Sequence, residues 1–320
     1  MNTKLRFVEN RYIFYTISGV MLLIALFSLF TKGLNYGIDF KGGNILKVVF
    51  EKETDDKAIR EVFNKIGTKT QLYFNVDQIT IQNVANDKKE FIIQYPVNKI
   101  ESIEANNVKM MIETELNNEM PYSLEQSSSI GPTIGDELKR QGIIAAFLSC
   151  VGILLYLGYR FDFHSAAGVV IAVVHDLIIT LGFISIMGSF KNLQITFDTT
   201  VLAAILTLLG YSVNDSIVVF DRIRENIRIS KNGTAYKQIV NDSINQCISR
   251  TINTTITTLL PLFALVLYGG DTLRGFSVSL LFGCLIGTYS SNCLAATCII
   301  DIFKKKGEAT KGTDLVPAHN

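Results

Sequence analysis

Charged residues vanish from six stretches of this chain, and apolar ones fill them. A run of about 18 or more apolar residues can cross a ~30 Å hydrocarbon layer as a helix. The six runs are 12–30, 142–159, 166–186, 199–220, 251–268 and 276–300. Inside them only Asp176 and Asp215 carry a formal charge, and Arg250 stands at the edge of the fifth. The pattern predicts an α-helical polytopic membrane protein with six transmembrane helices. The first run is longer than the apolar core of a secretory signal, and no small-residue cleavage site follows it, so it reads as a retained span.

Between the first two runs the pattern changes. Residues 31–141 hold 14 basic and 17 acidic residues, more than half of all the charge. Alternation at Ile45, Leu46, Val48, Val49 and Phe50 predicts a strand over 44–51, and helical spacing at Ile59, Val62, Phe63 and Ile66 a helix over 55–66. A second strand is expected over 71–84, bent near Asp77, and a third over 90–95, ended by Pro96. A helix over 98–118, with Ile100, Ile103, Val108, Met111, Ile112 and Leu116 on one face, precedes a last strand over 123–130. The order βαββαβ predicts a ferredoxin-like α+β domain between helices 1 and 2.

Composition narrows the class. The net charge of the 320 residues is +1, which removes a global charge argument for nucleic-acid binding. Mean hydropathy is +0.30. Cys150, Cys284, Cys293 and Cys298 lie in spans and Cys247 in a loop, as small apolar packers rather than disulfide partners. No metal-spaced cluster and no nucleophile–base pair stands out, so no metal, no cofactor and no enzymatic activity is expected. Lys and Arg sort the loops: Lys4, Arg6, Arg11, Arg160, the basic residues of 221–250 and the Lys residues of 304–320 lie on one side. The positive-inside rule makes that side cytoplasmic. The expected layout is a cytoplasmic tail 1–11, an outer domain 31–141, the remaining helices over 142–303 with a cytoplasmic loop 221–250, and a cytoplasmic tail 304–320, both termini inside.

Two Gly-rich segments bracket the outer domain: Gly37, Asp39, Gly42 and Gly43 after the first span, and Gly131, Pro132 and Gly135 before the second. They read as permissive turns or as a hinge between domain and membrane. A phosphate cradle is unsupported, because no P-loop pattern follows either.

An ionisable side chain at membrane depth is costly and by default functional. Asp215 lies six residues before Asp221, about 9 Å along a helix. Tyr211, Asn214 and Asp215 are expected on one helical face. A carboxyl group there can exchange protons; the alternative is a structural group bonded to neighbouring helices. Arg250 opens a run rich in hydroxyls that includes Thr254, and it either reaches the surface or pairs with a facing carboxylate. Pro261 is expected to kink this helix. His175 and Asp176 are a possible proton relay or plain packing. Gly283, Gly287, Ser290, Ser291, Ala295 and Ala296 give the last span a small-residue face for close packing.

Five blocks together resemble the SecF family, subunits of the bacterial SecDF protein-export complex within the RND superfamily. They are 37–43, 131–135, His175-Asp176 with 178–180, the long stretch 210–225, and 249–255. The long block also resembles the fourth span of RND transporters, where a carboxylate pair stands in place of Asn214 and Asp215. The resemblance implies SecD as partner, supplying six further spans and a larger outer domain. It implies the SecYEG translocon with SecA, YajC as a further partner, preprotein substrate and surrounding membrane lipids, in the bacterial inner membrane. It also implies that Asp215 and Arg250 couple the proton-motive force to completion of preprotein translocation. The alternative is an RND-type proton-driven exporter of small molecules or lipids, for which a lone six-span chain must dimerise.

Overall fold

The structure, a computed structural model, describes residues 5–70, 79–84, 87–96, 102–160, 163–190, 195–230 and 234–304. In chain order its elements are α1 (Arg11–Thr31), the short α2 (Ile38–Lys41), β1 (Gly43–Phe50), α3 (Asp56–Thr70), β2 (Thr80–Asn83), β3 (Glu90–Pro96), α4 (Ser102–Glu119) and β4 (Tyr122–Ile130). There follow α5 (Pro132–Arg160), α6 (Phe163–Met187), α7 (Thr199–Ile229), α8 (Tyr236–Tyr268), α9 (Gly270–Ser290), a π-helical turn (Ser291–Ala295) and α10 (Ala296–Lys304). Among the described residues, 6 helical segments are long and apolar enough to cross a membrane.

Several helices outrun the apolar stretches. α5 begins at Pro132, α7 continues to Ile229 and α8 starts at Tyr236, so most of 221–250 is helix rather than loop. The reason is that apolarity marks where lipid touches a helix, whereas a charged, amphipathic continuation keeps the same backbone bonds in water. The last span is broken by the π turn, where one extra residue per turn re-aims the side chains that follow. Pro261 sits inside α8, which continues through it to Tyr268.

α6, α7 and α9 form the buried centre of the bundle, while α1, α5 and α8 present apolar side chains such as Phe27, Phe147 and Phe263 outward. Small residues decide how close the central helices come. A Cβ at Gly182 of α6 would collide with Ala25 of α1, and one at Gly283 of α9 would lie 2.5 Å from Leu208 of α7. In lipid, where apolar contact between helices gains little over contact with acyl chains, such close packing holds the bundle together.

The outer domain is a four-stranded antiparallel sheet in the order β2-β3-β1-β4, the ferredoxin-like arrangement. Leu46, Val48 and Phe50 of β1 point to one face and pack with Ile59, Phe63 and Ile66 of α3 and with Ile112 and Leu116 of α4. Met111, expected on the buried face of α4, is 46% exposed. The pairing shifts between Lys47 and Val48, so Glu125 bulges from β4, and the Lys47 ammonium bonds both Glu125 and Glu90 at 2.7 Å. Most of the expected second strand, 71–78, lies outside the described residues.

At the opposite end of the bundle the chain's beginning is docked. Phe7 and Val8 are buried, the Leu5 and Val8 amides donate to Asn245 and Asn241 of α8, and Arg11 pairs with Asp301 of α10 at 2.9 Å.

Gly182→Leu is expected to part α1 from α6, at the cost of about 1–3 kcal/mol typical of overpacking. Gly152→Ala, with nothing within 4 Å of the added atom, is expected to be neutral or slightly stabilising. Thermal unfolding of the two purified variants checks this, and equal losses would contradict the packing described for Gly182.

Candidate functional site

Three helices far apart in sequence meet at Asp176. Its Oδ2 accepts from Ser212 of α7 at 2.6 Å and from Ser290 of α9 at 2.7 Å. Its Oδ1 lies 2.9 Å from Nδ1 of His175, the neighbouring residue, so the two side chains turn toward each other rather than to separate partners. All of these groups are buried. Among the described residues Nε2 of His175 has no hydrogen-bond partner, and its ring lies against that of Tyr289. Beside this node the π turn places Ser291 3.1 Å from the hydroxyl of Ser216.

Asp215 stands about one turn further along α7. It is 3% exposed, and among the described residues its Oδ2 has no hydrogen-bond partner. Arg250, at an exposed position of α8, acts on Asp215 electrostatically, yet among the described residues no ion pair joins them. The two carboxylates of the membrane region are thus in opposite conditions. Asp176 is fully engaged by donors, whereas Asp215 is desolvated with an oxygen to spare and a guanidinium nearby.

The other expected residues separate. Tyr211 donates to Thr255 of α8 at 3.1 Å, and Thr255 meets Thr288 of α9 at 2.8 Å, a hydroxyl chain across three helices. Thr254 donates instead to the Thr251 carbonyl of its own helix. Asn214 is exposed, so Tyr211, Asn214 and Asp215 do not form one common surface. On α7, Thr207, Gly210 and Asn214 make an exposed polar strip at helical spacing; Arg250, Asn253 and Thr257 make another on α8. Sequence reasoning missed Ser212, Thr255, Thr288 and Tyr289. The signal available for Ser290 was its place in the small-residue face, which reads equally as packing.

The Gly-rich segments form one packed junction. The Gly37 amide donates to the Phe197 carbonyl at 2.9 Å and the Phe197 amide to Asn35 at 2.7 Å. Tyr36, Phe40 and Phe197 cluster with ring centroids 5.5–6.1 Å apart. A Cβ at Gly43 would lie 2.5 Å from the Tyr95 carbonyl, and one at Gly135 only 3.0 Å from the Gly42 amide, while Gly42 itself has φ +78°. Gly131 precedes α5, whose first residue is Pro132, a favoured start for a helix. Asp39 accepts from the Thr199 amide at 3.0 Å and its hydroxyl at 2.6 Å, at the outer start of α7. Asp198 caps the same helix through Val201. Burial raises the Asp198 pKa and the neighbouring Asp39 charge adds to this, partly offset by the donors of Thr200 and Val201.

Residues 111–305 match the family described as protein export membrane protein SecD/SecF, C-terminal, and residues 27–54 match the SecD/SecF GG motif. The chain is 36% identical over 296 residues to the protein translocase subunit SecF of Calditerrivibrio nitroreducens, covering 92% of this chain and 93% of that one. It is 35% identical over 303 residues to the same subunit of Pseudomonas aeruginosa, with 94% and 93% covered. The crystal structure of SecDF, a translocon-associated membrane protein, from Thermus thermophilus is similar with a TM-score of 0.78 at 32% identity. That match covers 95% of this chain and 39% of the solved one, so this chain spans well under half of the SecDF polypeptide. SecDF in a super-membrane-facing form gives a TM-score of 0.68 at 31% identity, with 96% and 40% covered.

Asp176→Ala is expected to strand the hydroxyl of Ser212, at about 1–3 kcal/mol for an unsatisfied group, whereas Ser290 keeps the Gly287 carbonyl at 3.1 Å. Asp176→Asn, which keeps an acceptor, should lose less, and thermal unfolding compares them. Because the folded-state pKa of Asp198 is raised, the folded state binds this proton more tightly than the unfolded one. Its contribution is therefore present at low pH and is lost as pH rises from the ordinary aspartate range through the raised value. Asp198→Asn should flatten that part of the stability–pH curve; an unchanged curve contradicts the assignment.

Proposed function

The chain belongs to the SecD/SecF family of protein-export membrane proteins, and on that premise we propose that it acts as the SecF-type half of a SecD–SecF unit in the bacterial inner membrane. There it uses the proton-motive force to help preproteins, delivered through SecYEG by SecA, complete their crossing. The observation that carries this reading is Asp215, buried with an unbonded Oδ2 and with Arg250 close enough to act on it.

The polar strips on α7 and α8 support a membrane partner. Asn214, Arg250, Asn253 and Thr257 are exposed on the isolated chain, and hydrocarbon offers none of them a hydrogen bond. A second six-span half, as SecD, covers such a seam. The docked beginning of the chain, the start of α8 and α10 all gather at one end of the bundle, and the βαββαβ domain sits at the other. The basic residues at the first end make it cytoplasmic by the positive-inside rule, which puts the folded domain in the periplasm.

In this mechanism the ionised Asp215 attracts the Arg250 guanidinium, and protonation removes the attraction. The seam then repacks between two arrangements, as two-state helix interfaces do. A proton moving down 100 mV releases about 2.3 kcal/mol, enough to bias two packings of similar energy. α7 carries Asp215 in its middle and is bonded to Asp39 at its outer start, so displacement of α7 pulls on the junction that holds the outer domain.

Asp215→Asn is expected to abolish the proton-driven stimulation of preprotein export in vesicles, while assembly with the partner subunit persists. Arg250→Lys keeps the charge but not the planar fork and should retain part of the stimulation. Wild-type stimulation in Asp215→Asn would overturn the proposal. Co-purification as a homo-oligomer with no second six-span subunit would favour the exporter reading instead.

A further inference from the structure

At the end of the bundle that bears the docked chain start, α5 stops at Arg160 while α7 runs on to Ile229. Between them lies a cleft of about 400 Å³ lined by Arg160, Asp221, Arg224, Glu225, Arg228 and Ile229. Its anions are taken. Asp221 pairs with Arg160 at 3.5 Å, and Glu225 pairs with Arg222 of its own helix at 2.5 Å. Arg224 and Arg228, one helical turn apart, have no carboxylate at ion-pair distance among the described residues. The lining sets three guanidiniums against two carboxylates, and an anion lodged between Arg224 and Arg228 relieves the surplus positive charge.

The surroundings say what kind of anion. Ile229, in the lining, is 68% exposed, and Tyr159, next to Arg160, is 93% exposed, with Leu155 at 71% and Tyr156 at 52% one turn before it. An exposed apolar strip ending in tyrosines just before a cluster of arginines is the profile of a helix crossing from acyl chains to headgroups. A soluble anion has no use for that strip, whereas a lipid uses both parts. We infer that this cleft binds the phosphate headgroup of an anionic phospholipid, held by Arg224 and Arg228 and flanked by Arg160, with its acyl chains along the outward face of α5. Guanidinium forks suit phosphate oxygens, and basic pockets at the ends of membrane helices are where such headgroups lodge. Binding there would add to the hold of α5 on α7 that Arg160 and Asp221 already make.

The test uses the purified full chain in neutral detergent, with its partner subunit where the two co-purify. Dioleoylphosphatidylglycerol, dioleoylphosphatidylcholine and inorganic phosphate are titrated, and retained lipid is read by native mass spectrometry alongside thermal unfolding. The expected result is saturable retention of phosphatidylglycerol and a rise in unfolding temperature that phosphatidylcholine does not reproduce. Arg224→Gln with Arg228→Gln should weaken retention at least about tenfold. A triple Gln replacement at Lys304, Lys305 and Lys306 should leave it unchanged. Equal retention by the double variant, an equal loss in the tail variant, or no preference over phosphatidylcholine would each overturn the proposal. If inorganic phosphate alone gives the full stabilisation, the site takes a free anion and the lipid assignment fails. Should the double variant not fold, a photoreactive phosphatidylglycerol on the wild-type chain decides: crosslinks concentrated at Tyr159 and Ile229 support the site, and crosslinks spread evenly over the spans sink it.

Discussion

A carboxylate inside a membrane bundle must find its donors in the protein, because hydrocarbon supplies none. At Asp176 that requirement organises the fold. One side chain of α6 draws in Ser212 from α7 and Ser290 from α9, and each hydroxyl has to be within hydrogen-bond reach of the same oxygen. Such reach needs helix axes closer than large side chains allow. Gly287 faces Ser212 and Asp176 at this level, and Gly283 faces Leu208 a turn away. The small-residue face and the buried acid are thus two aspects of one requirement.

With Asp176 satisfied, Asp215 stands out by contrast. Both are buried acids, yet only one is saturated by donors. Asp176 is held by hydroxyls from two neighbouring helices, whereas Asp215 keeps an oxygen with no hydrogen-bond partner among the described residues. Asp176 is thus the point against which α7 and α9 are held, and the proposed proton coupling falls to Asp215.

The junction at the outer end of α7 gives the outer domain its hold on the bundle. Asp39 occupies the first free donors of the helix, where a negative charge is favoured by the helix dipole as well as by the hydrogen bonds. The glycines of this region act mainly through close backbone approach, at Gly43 against Tyr95 and at Gly135 against Gly42, with a positive φ at Gly42. Any bending between domain and membrane therefore has to move this packed unit as a body or break its contacts. At the other end, the arginine cleft and the pairing of Arg11 with Asp301 tie the helices where water and headgroups replace acyl chains.

Much of this was legible in the residues alone. Six apolar runs gave six spans, and alternation in the charged insert gave the βαββαβ order, because both follow from local periodicity against a solvent boundary. Asp215 and Arg250 stood out for the same reason, as rare charges in an apolar context. The difference between Asp215 and Asp176 was not legible. Their local contexts look alike, and what separates them is donors on helices 36 and 114 residues away from Asp176. The π turn, the role of Thr255 rather than Thr254 and the outward aspect of Asn214 were hidden likewise. Periodicity tells which side of a helix meets hydrocarbon; which polar atom meets which partner is set by the packing of distant segments, and only the tertiary structure contains that information.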